Sequence, residues 1–244
     1  MPATIVALHA AAVTPAMWDE VRQAAPDLEF LAPDLIALTE RGDGTLAHLV
    51  QDLAAQLPEG PLVLLGASIG AHIALELAAV LGDRVRGTVM VAPGPPTLDA
   101  EFLERARGLE RIVRHAWSPA VGKSLIPLLV YPFGPDYATI AARVERMLAL
   151  AAERSATLLG MSPALHRAAE LLPLVSGPVR VLIAGANSNP VVGVGLAEAW
   201  RGVLGSAVEK IPDASEFLPM EKPDAVVDAI RALLEERPAA RLRS

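Results

Sequence analysis

Residues 64–78 read LLGASIGAHIALELA: an apolar run, then Gly66-Ala67-Ser68-Ile69-Gly70, then apolar residues at helical spacing. No other stretch narrows the fold so far. A Gly-x-Ser-x-Gly between a buried strand and a helix needs a turn too tight for side chains on either side of it, with a strained backbone at the serine. Such a turn lifts the hydroxyl clear of the sheet, at a helix N-terminus whose unpaired N–H groups favour negative charge. This pattern suits a nucleophilic serine, and a nucleophilic serine needs a base.

The rest of the chain supplies a matching frame. Apolar runs bounded by turn residues predict strands over Ile5–His9, Asp27–Leu31, Leu62–Leu65, Gly87–Ala92, Val179–Ala184 and Ala207–Ile211. Helical spacing predicts helices over Thr45–Leu57, over Ile69–Leu81 with Gly82 as its stop, and after Pro223. The segment APDLIALTERGDG reads as a loop. Residues 97–173 differ, with helices predicted over Asp99–Arg114, over Tyr137–Leu159 and near Leu165–Leu172; SLIPLLVYPF between them is an apolar stretch broken by prolines. Strand–helix alternation on both sides of a helical block implies an α/β fold: a mostly parallel sheet flanked by helices, with an inserted helical lid. The core is placed at residues 1–95 and 174–244, and the lid at 96–173.

Composition limits the partners. Hydrophobic residues make up 52% and charged residues 20%, the balance of a chain that buries a core. A net charge of -7 with no basic stripe excludes nucleic acid as an expected partner. There is no cysteine, so disulfides and thiolate metal sites are excluded. The opening MPATIVALHAAAV lacks a signal peptide's positive flank and long apolar core, and no apolar run reaches the roughly 18 residues that span a bilayer. A cytoplasmic location without membrane attachment is expected. No His, Asp or Glu residues have metal-ligand spacing, and no cofactor is expected. A small molecule is the expected partner; the oligomeric state is open, a homodimer included.

Three further segments, with the serine turn, resemble the α/β-hydrolase fold superfamily over about residues 3–95 and 177–236. IVALHAAAVTPAMWDEV resembles the segment after the first strand that completes an oxyanion hole, with Ala10 where glycine is usual. The resemblance implies the backbone N–H groups of Ala11 and Ile69 as the oxyanion donors. VRVLIAGANSNPVV resembles the strand and loop that carry the acid, and IPDASEFLPMEKPDAVVDAI the closing segment that carries the histidine. In both, this chain departs from the pattern. Ser188, or Asn189 with a one-residue slip, stands in the acid's place, and Glu216 stands where the histidine belongs. Of the five histidines, His9 falls at a position with a structural role in the family. His72 reads as packed within the serine's helix, His48 as peripheral, and His115 and His166 as lid residues.

A serine hydroxyl has no useful alkoxide fraction near neutral pH without a base. Loss of triad members leaves only about 10³–10⁴-fold acceleration over water. Ordinary esterase chemistry is therefore disfavoured. A carboxyl against an apolar wall rises toward roughly 6–7, a range suited to proton transfer on the substrate itself. The reading is that Ser68 and Glu216 are catalytic, Ser68 as a hydrogen-bond donor and Glu216 as the acid/base. Ala10, Trp117, Leu125, Tyr131, Ser188, Asn189 and Phe217 are read as substrate-binding, under a roof of Leu125–Phe133 and Trp117. The expected function is lyase, isomerase or cyclase chemistry on a small apolar carbonyl compound. The alternatives are a non-catalytic ligand-binding homologue and a slow serine esterase with a non-standard base.

Overall fold

A computed structural model describes residues 2–97, 100–185 and 195–236. Six strands form one sheet: β1 (Thr4–Leu8), β2 (Glu29–Leu31), β3 (Leu62–Ala67), β4 (Val85–Val91), β5 (Val179–Ala184) and β6 (Val208–Ile211). Their order is β2-β1-β3-β4-β5-β6, and every pairing is parallel. Parallel strands need crossovers and are covered on both faces, which is why β1 and β3 are buried at every position and, Thr4 apart, without polar side chains.

Successive side chains alternate between the faces. Val6, Leu8 and Leu64 enter one cluster, and Ile5, Ala7, Val63 and Leu65 enter the other. Helices supply the rest of both layers. Before β4 run α1 (Asp19–Ala24), α2 (Leu35–Arg41), α3 (Leu46–Gln56) and α4 (Ile69–Leu81). Between β4 and β5 come α5 (Ala100–His115), α6 (Pro119–Leu129), α7 (Tyr137–Ala151), α8 (Ala156–Gly160), α9 (Ser162–Leu165) and α10 (Ala168–Leu171). The chain then adds α11 (Leu196–Leu204), α12 (Leu218–Glu221) and α13 (Pro223–Glu235). Leu53, Ile73, Leu77 and Trp200 pack one face of the sheet; Val21, Val226 and Ile230 pack the other.

Two predicted boundaries differ for identifiable reasons. The segment read as a loop after Pro33 contains α2, because the Asp34 carboxylate accepts from the N–H groups of Ile36 and Ala37, both at 3.0 Å, and Leu35, Ile36 and Leu38 are buried. The helix predicted over Tyr137–Leu159 stops at Ala151, and α8 starts at Ala156. Ser155 lies in the break, its hydroxyl donating to the Ala152 carbonyl at 2.7 Å, the kind of local bond that competes with helix continuation. No helix among the described residues is long and apolar enough to cross a membrane.

Candidate active site

The serine turn is built by close contact. Ser68 links β3 to α4 with φ 52° and ψ −119°, a positive φ that an L-residue adopts only under strain. The two glycines make it fit. A Cβ on Gly66 would lie 2.3 Å from the Gly70 carbonyl oxygen, and one on Gly70 would lie 2.3 Å from that of Leu8. The Gly-x-Ser-x-Gly spacing is thus the imprint of α4 packed hard against β3 and the end of β1. Backbone bonds fix the turn, with Ser68 N–H donating to Val91 at 3.0 Å and Ala71 N–H to Ser68 at 3.1 Å.

Ser68 opens into a cavity of about 390 Å³. Of the residues singled out in the sequence, Ala10, Ala11, Ser68, Ile69, Trp117, Leu125, Glu216 and Phe217 all line it. Ala12, beside Ala11, has a positive φ of 61°, so the turn after β1 is strained like the one it faces. Phe102, Val113 and Leu148 make much of the opposite wall apolar. Gly122 of α6 leaves room for Trp117, which precedes that helix, since a Cβ there would sit 2.9 Å from the indole.

Glu216 is 7% exposed and sits in the loop between β6 and α12. That loop is tied to the helical segment across from it. The Glu221 carboxylate accepts from the N–H groups of Tyr131 and Ser215, each at 2.6 Å, and the Ser215 hydroxyl donates to Leu129 at 2.7 Å.

Tyr131 and Phe133 require correction. Neither lines the cavity. The Tyr131 hydroxyl donates to Asp213 at 3.2 Å, and burial followed by that carboxylate raises its pKa. Phe133 is 83% exposed. The chain turns outward after Val130 because Glu221 captures the next backbone N–H. Ser188 and Asn189 lie outside the described residues.

The histidines divide sharply. His9 is fully buried, its Nε2 accepting from Leu35 N–H at 2.9 Å and its Nδ1 donating to Ala10 at 2.8 Å; this is a structural role. His48 pairs with Asp52 on α3, and His115 is exposed at the end of α5. His72 and His166 also line the cavity: His72, read as packed within the serine's helix, is 1% exposed, and His166, read as a lid residue, lies between α9 and α10. An apolar helix face conceals such a residue, because spacing alone cannot tell packing from a cavity wall. No side chain among the described residues hydrogen-bonds to the Ser68 hydroxyl. No cluster among them could hold a metal ion.

A parallel sheet whose third strand ends in a strained serine, facing a cavity between the core and an inserted helical segment, defines the α/β-hydrolase fold. The chain belongs to the alpha/beta hydrolase family, whose model matches residues 5–229. A thermophilic esterase from Thermogutta terrifontis, solved with malate bound, is 26% identical, with a TM-score of 0.74 over 96% of this chain and 90% of that one. The enol-lactonase from Burkholderia xenovorans LB400 is 18% identical, with a TM-score of 0.71 over 97% and 92%. A hydrolase from Oleispira antarctica is 14% identical, with a TM-score of 0.74 over 97% and 92%; these last two likenesses speak for the fold alone. Comparison with curated proteins returns no match.

Proposed function

We propose that this chain is an enzyme of the alpha/beta hydrolase family that performs acid/base chemistry on a small, largely apolar, carbonyl-bearing molecule. The observation that carries this reading is the pairing of Ser68 and Glu216 in one mostly apolar cavity, with no side chain among the described residues bonded to the serine hydroxyl. In this reading Glu216 takes the place of the family's histidine. Ser68 and the N–H groups of Ala11 and Ile69 hold the substrate oxygen. Glu216 removes a proton from the carbon beside the carbonyl, or from a water that attacks it. The negative charge developing on the oxygen is stabilised by donors already in place, which costs no reorganisation at the moment of reaction. The helices of residues 96–173 act as a lid over the core and exclude water.

A second reading has its own support. Ser68 keeps the strained turn of a nucleophile, and the 26% identical neighbour is an esterase. Ser68 would then attack an ester directly. Two variants separate the readings, assayed on a panel of small esters, lactones and ketones. Glu216→Gln keeps the shape and removes the base, so a loss of about 10²–10⁴-fold is expected. Ser68→Ala removes one hydrogen bond, with an expected loss on the order of tenfold, rising toward a hundredfold if the bond tightens at the oxyanion. The reverse order, together with a covalent fluorophosphonate adduct on Ser68, makes the serine the nucleophile and overturns the first reading.

A further inference from the structure

Ser68 has the turn of a nucleophile, but no side chain among the described residues bonds its hydroxyl. A second serine of the same cavity is bonded to an imidazole. Ser162 and His166 both line the cavity, each 8% exposed. They stand four residues apart across the short helix α9, with the Ser162 hydroxyl 3.3 Å from His166 Nε2. Elsewhere among the described residues, the bonded serine hydroxyls meet backbone groups or a carboxylate; Ser162 alone meets a histidine.

The far side of the ring fixes the roles in this contact. His166 Nδ1 is 2.7 Å from the Pro95 carbonyl, which can only accept, so the proton is on Nδ1. Nε2 then presents its lone pair, and the Ser162 hydroxyl donates to it. A serine bonded to an imidazole whose other nitrogen is held by an acceptor is the arrangement of a nucleophile and its general base. Here a backbone carbonyl stands in the place of the acid. The bond is long, as such bonds often are before a substrate tightens them.

The base is held in place by the core. α9 ends at Leu165, and Arg167 N–H donates to the Leu165 carbonyl at 2.9 Å around a tight turn centred on His166, with φ −84° and ψ 64°. Arg167 makes a two-pronged ion pair with Glu76 of α4, at 2.7 and 2.8 Å, and Ala168 N–H donates to Pro96 at 3.0 Å. Gly94 leaves room for the imidazole, since a Cβ there would sit 2.6 Å from its Cε1. His72, its ring centre 4.3 Å away, is kept neutral first by burial and then by His166 itself. It therefore sets no positive charge against His166 when that ring takes up a proton.

We propose that Ser162 and His166 form a second reactive centre in the cavity, an acyl-transfer pair acting on activated esters such as those of phenols. Ser162 Oγ bonds to the acyl carbon, and its proton passes to His166 Nε2. The bond from the acyl carbon to the phenol oxygen breaks, and that oxygen leaves with the proton. A water then bonds to the acyl carbon and gives a proton to Nε2; the ester bond to Ser162 breaks, Oγ takes the proton back, and the carboxylic acid departs. A carbonyl orients the imidazole but brings no full negative charge to stabilise an imidazolium, so the pair suits leaving groups that need little help. Phe102, Val113 and Trp117 offer such esters apolar walls. Neither Ser68 nor Glu216 takes part in these steps.

A small fluorophosphonate and p-nitrophenyl butyrate, applied to the full chain, test the pair; peptide mass spectrometry locates the phosphonate. The adduct should fall on Ser162. Its formation and the release of p-nitrophenol from this site should slow by about 10²-fold or more in His166→Gln, the range for loss of a general base. Ser162→Ala should abolish both there. If the histidine variant does not fold, Ser162→Cys gives a second readout, because the chain has no other thiol. Its alkylation by iodoacetamide should change by less than about fivefold between pH 8.5 and 6.5, where an ordinary thiol with a pKa near 8.5 slows about fiftyfold. An adduct on Ser68 alone, no adduct on the folded wild type, labelling of Ser162 that ignores His166→Gln, or an ordinary thiol profile in Ser162→Cys overturns the proposal. An adduct on Ser162 alone supports the pair and leaves the Ser68–Glu216 reading standing. Adducts on both serines support the pair and count against that reading.

Discussion

At Ser68 stability and function pull in opposite directions. Its positive φ places the hydroxyl in the cavity, and an L-residue pays about 1–3 kcal/mol for such a backbone. Ala67 and Ile69 flank it, and the Cβ clearances at Gly66 and Gly70 leave the turn no other shape. Glycine at position 68 would relax the strain and remove the hydroxyl together. Ser68→Gly should therefore be more stable than Ser68→Ala by about 1 kcal/mol, both being inactive in hydroxyl-dependent steps. Urea unfolding of the two variants measures the difference; equal midpoints would mean that the strain is not carried at this residue. The motif itself was fully legible in the sequence, because its spacing is dictated by contacts between neighbours in the chain. The pairing of Ser68 with Glu216 was legible only through the family resemblance. The meeting of two histidines was not legible at all: His72 and His166, 94 positions apart in the sequence, come together through the fold of residues 94–97, which no local pattern announces.

Elements were read best where burial is uniform. The strand Val179–Ala184 and the helix Ile69–Leu81 fall where the spacing predicts them. Reading failed where a side chain or a neighbour overrides propensity. Pro127 lies inside α6, near enough to its end for the lost bond to cost little. The helix Leu196–Leu204 starts after a left-handed Gly195 with no capping side chain, so nothing marks its beginning. Among the elements, α12 carries a job out of proportion to its four residues. Its last residue, Glu221, ties the Glu216 loop to the chain after α6 through two N–H donors and the Ser215 hydroxyl, the last at 3.0 Å. Glu221→Gln keeps the size but loses the charge, and turns an amide N–H₂ toward one of those donors. A loss of about 1.5–3 kcal/mol is expected, the range for hydrogen bonds to charged groups. Hydrogen exchange should quicken at the Tyr131 and Ser215 amides in particular. Unchanged exchange at both would show that other contacts hold the loop.

The whole molecule keeps a buried neutral histidine where the core meets the inserted helices, and that has a consequence for its stability against acid. His72 is held well below its ordinary pKa of 6.5, first by burial and then by the neighbouring His166, which disfavours a second charge beside it. In the unfolded chain the ring protonates as pH falls through about 6.5; in the folded protein it does not until far lower. Between these two points the unfolded state binds one more proton than the folded state. Stability therefore rises with pH across this window, by about 1.4 kcal/mol per pH unit at full effect, and is independent of this group above it. Other carboxylates and histidines contribute their own slopes, so the measurement is a difference. Urea unfolding of the wild type and of His72→Leu, from pH 5 to 7.5, should give curves whose slopes diverge by close to one proton below pH 6 and run parallel above pH 7. The variant should be the less acid-sensitive protein even if the loss of the imidazole lowers its stability at neutral pH. Parallel curves throughout would mean that the ring takes up its proton in the folded state, which requires a partner for at least one of its two buried, unpaired nitrogens.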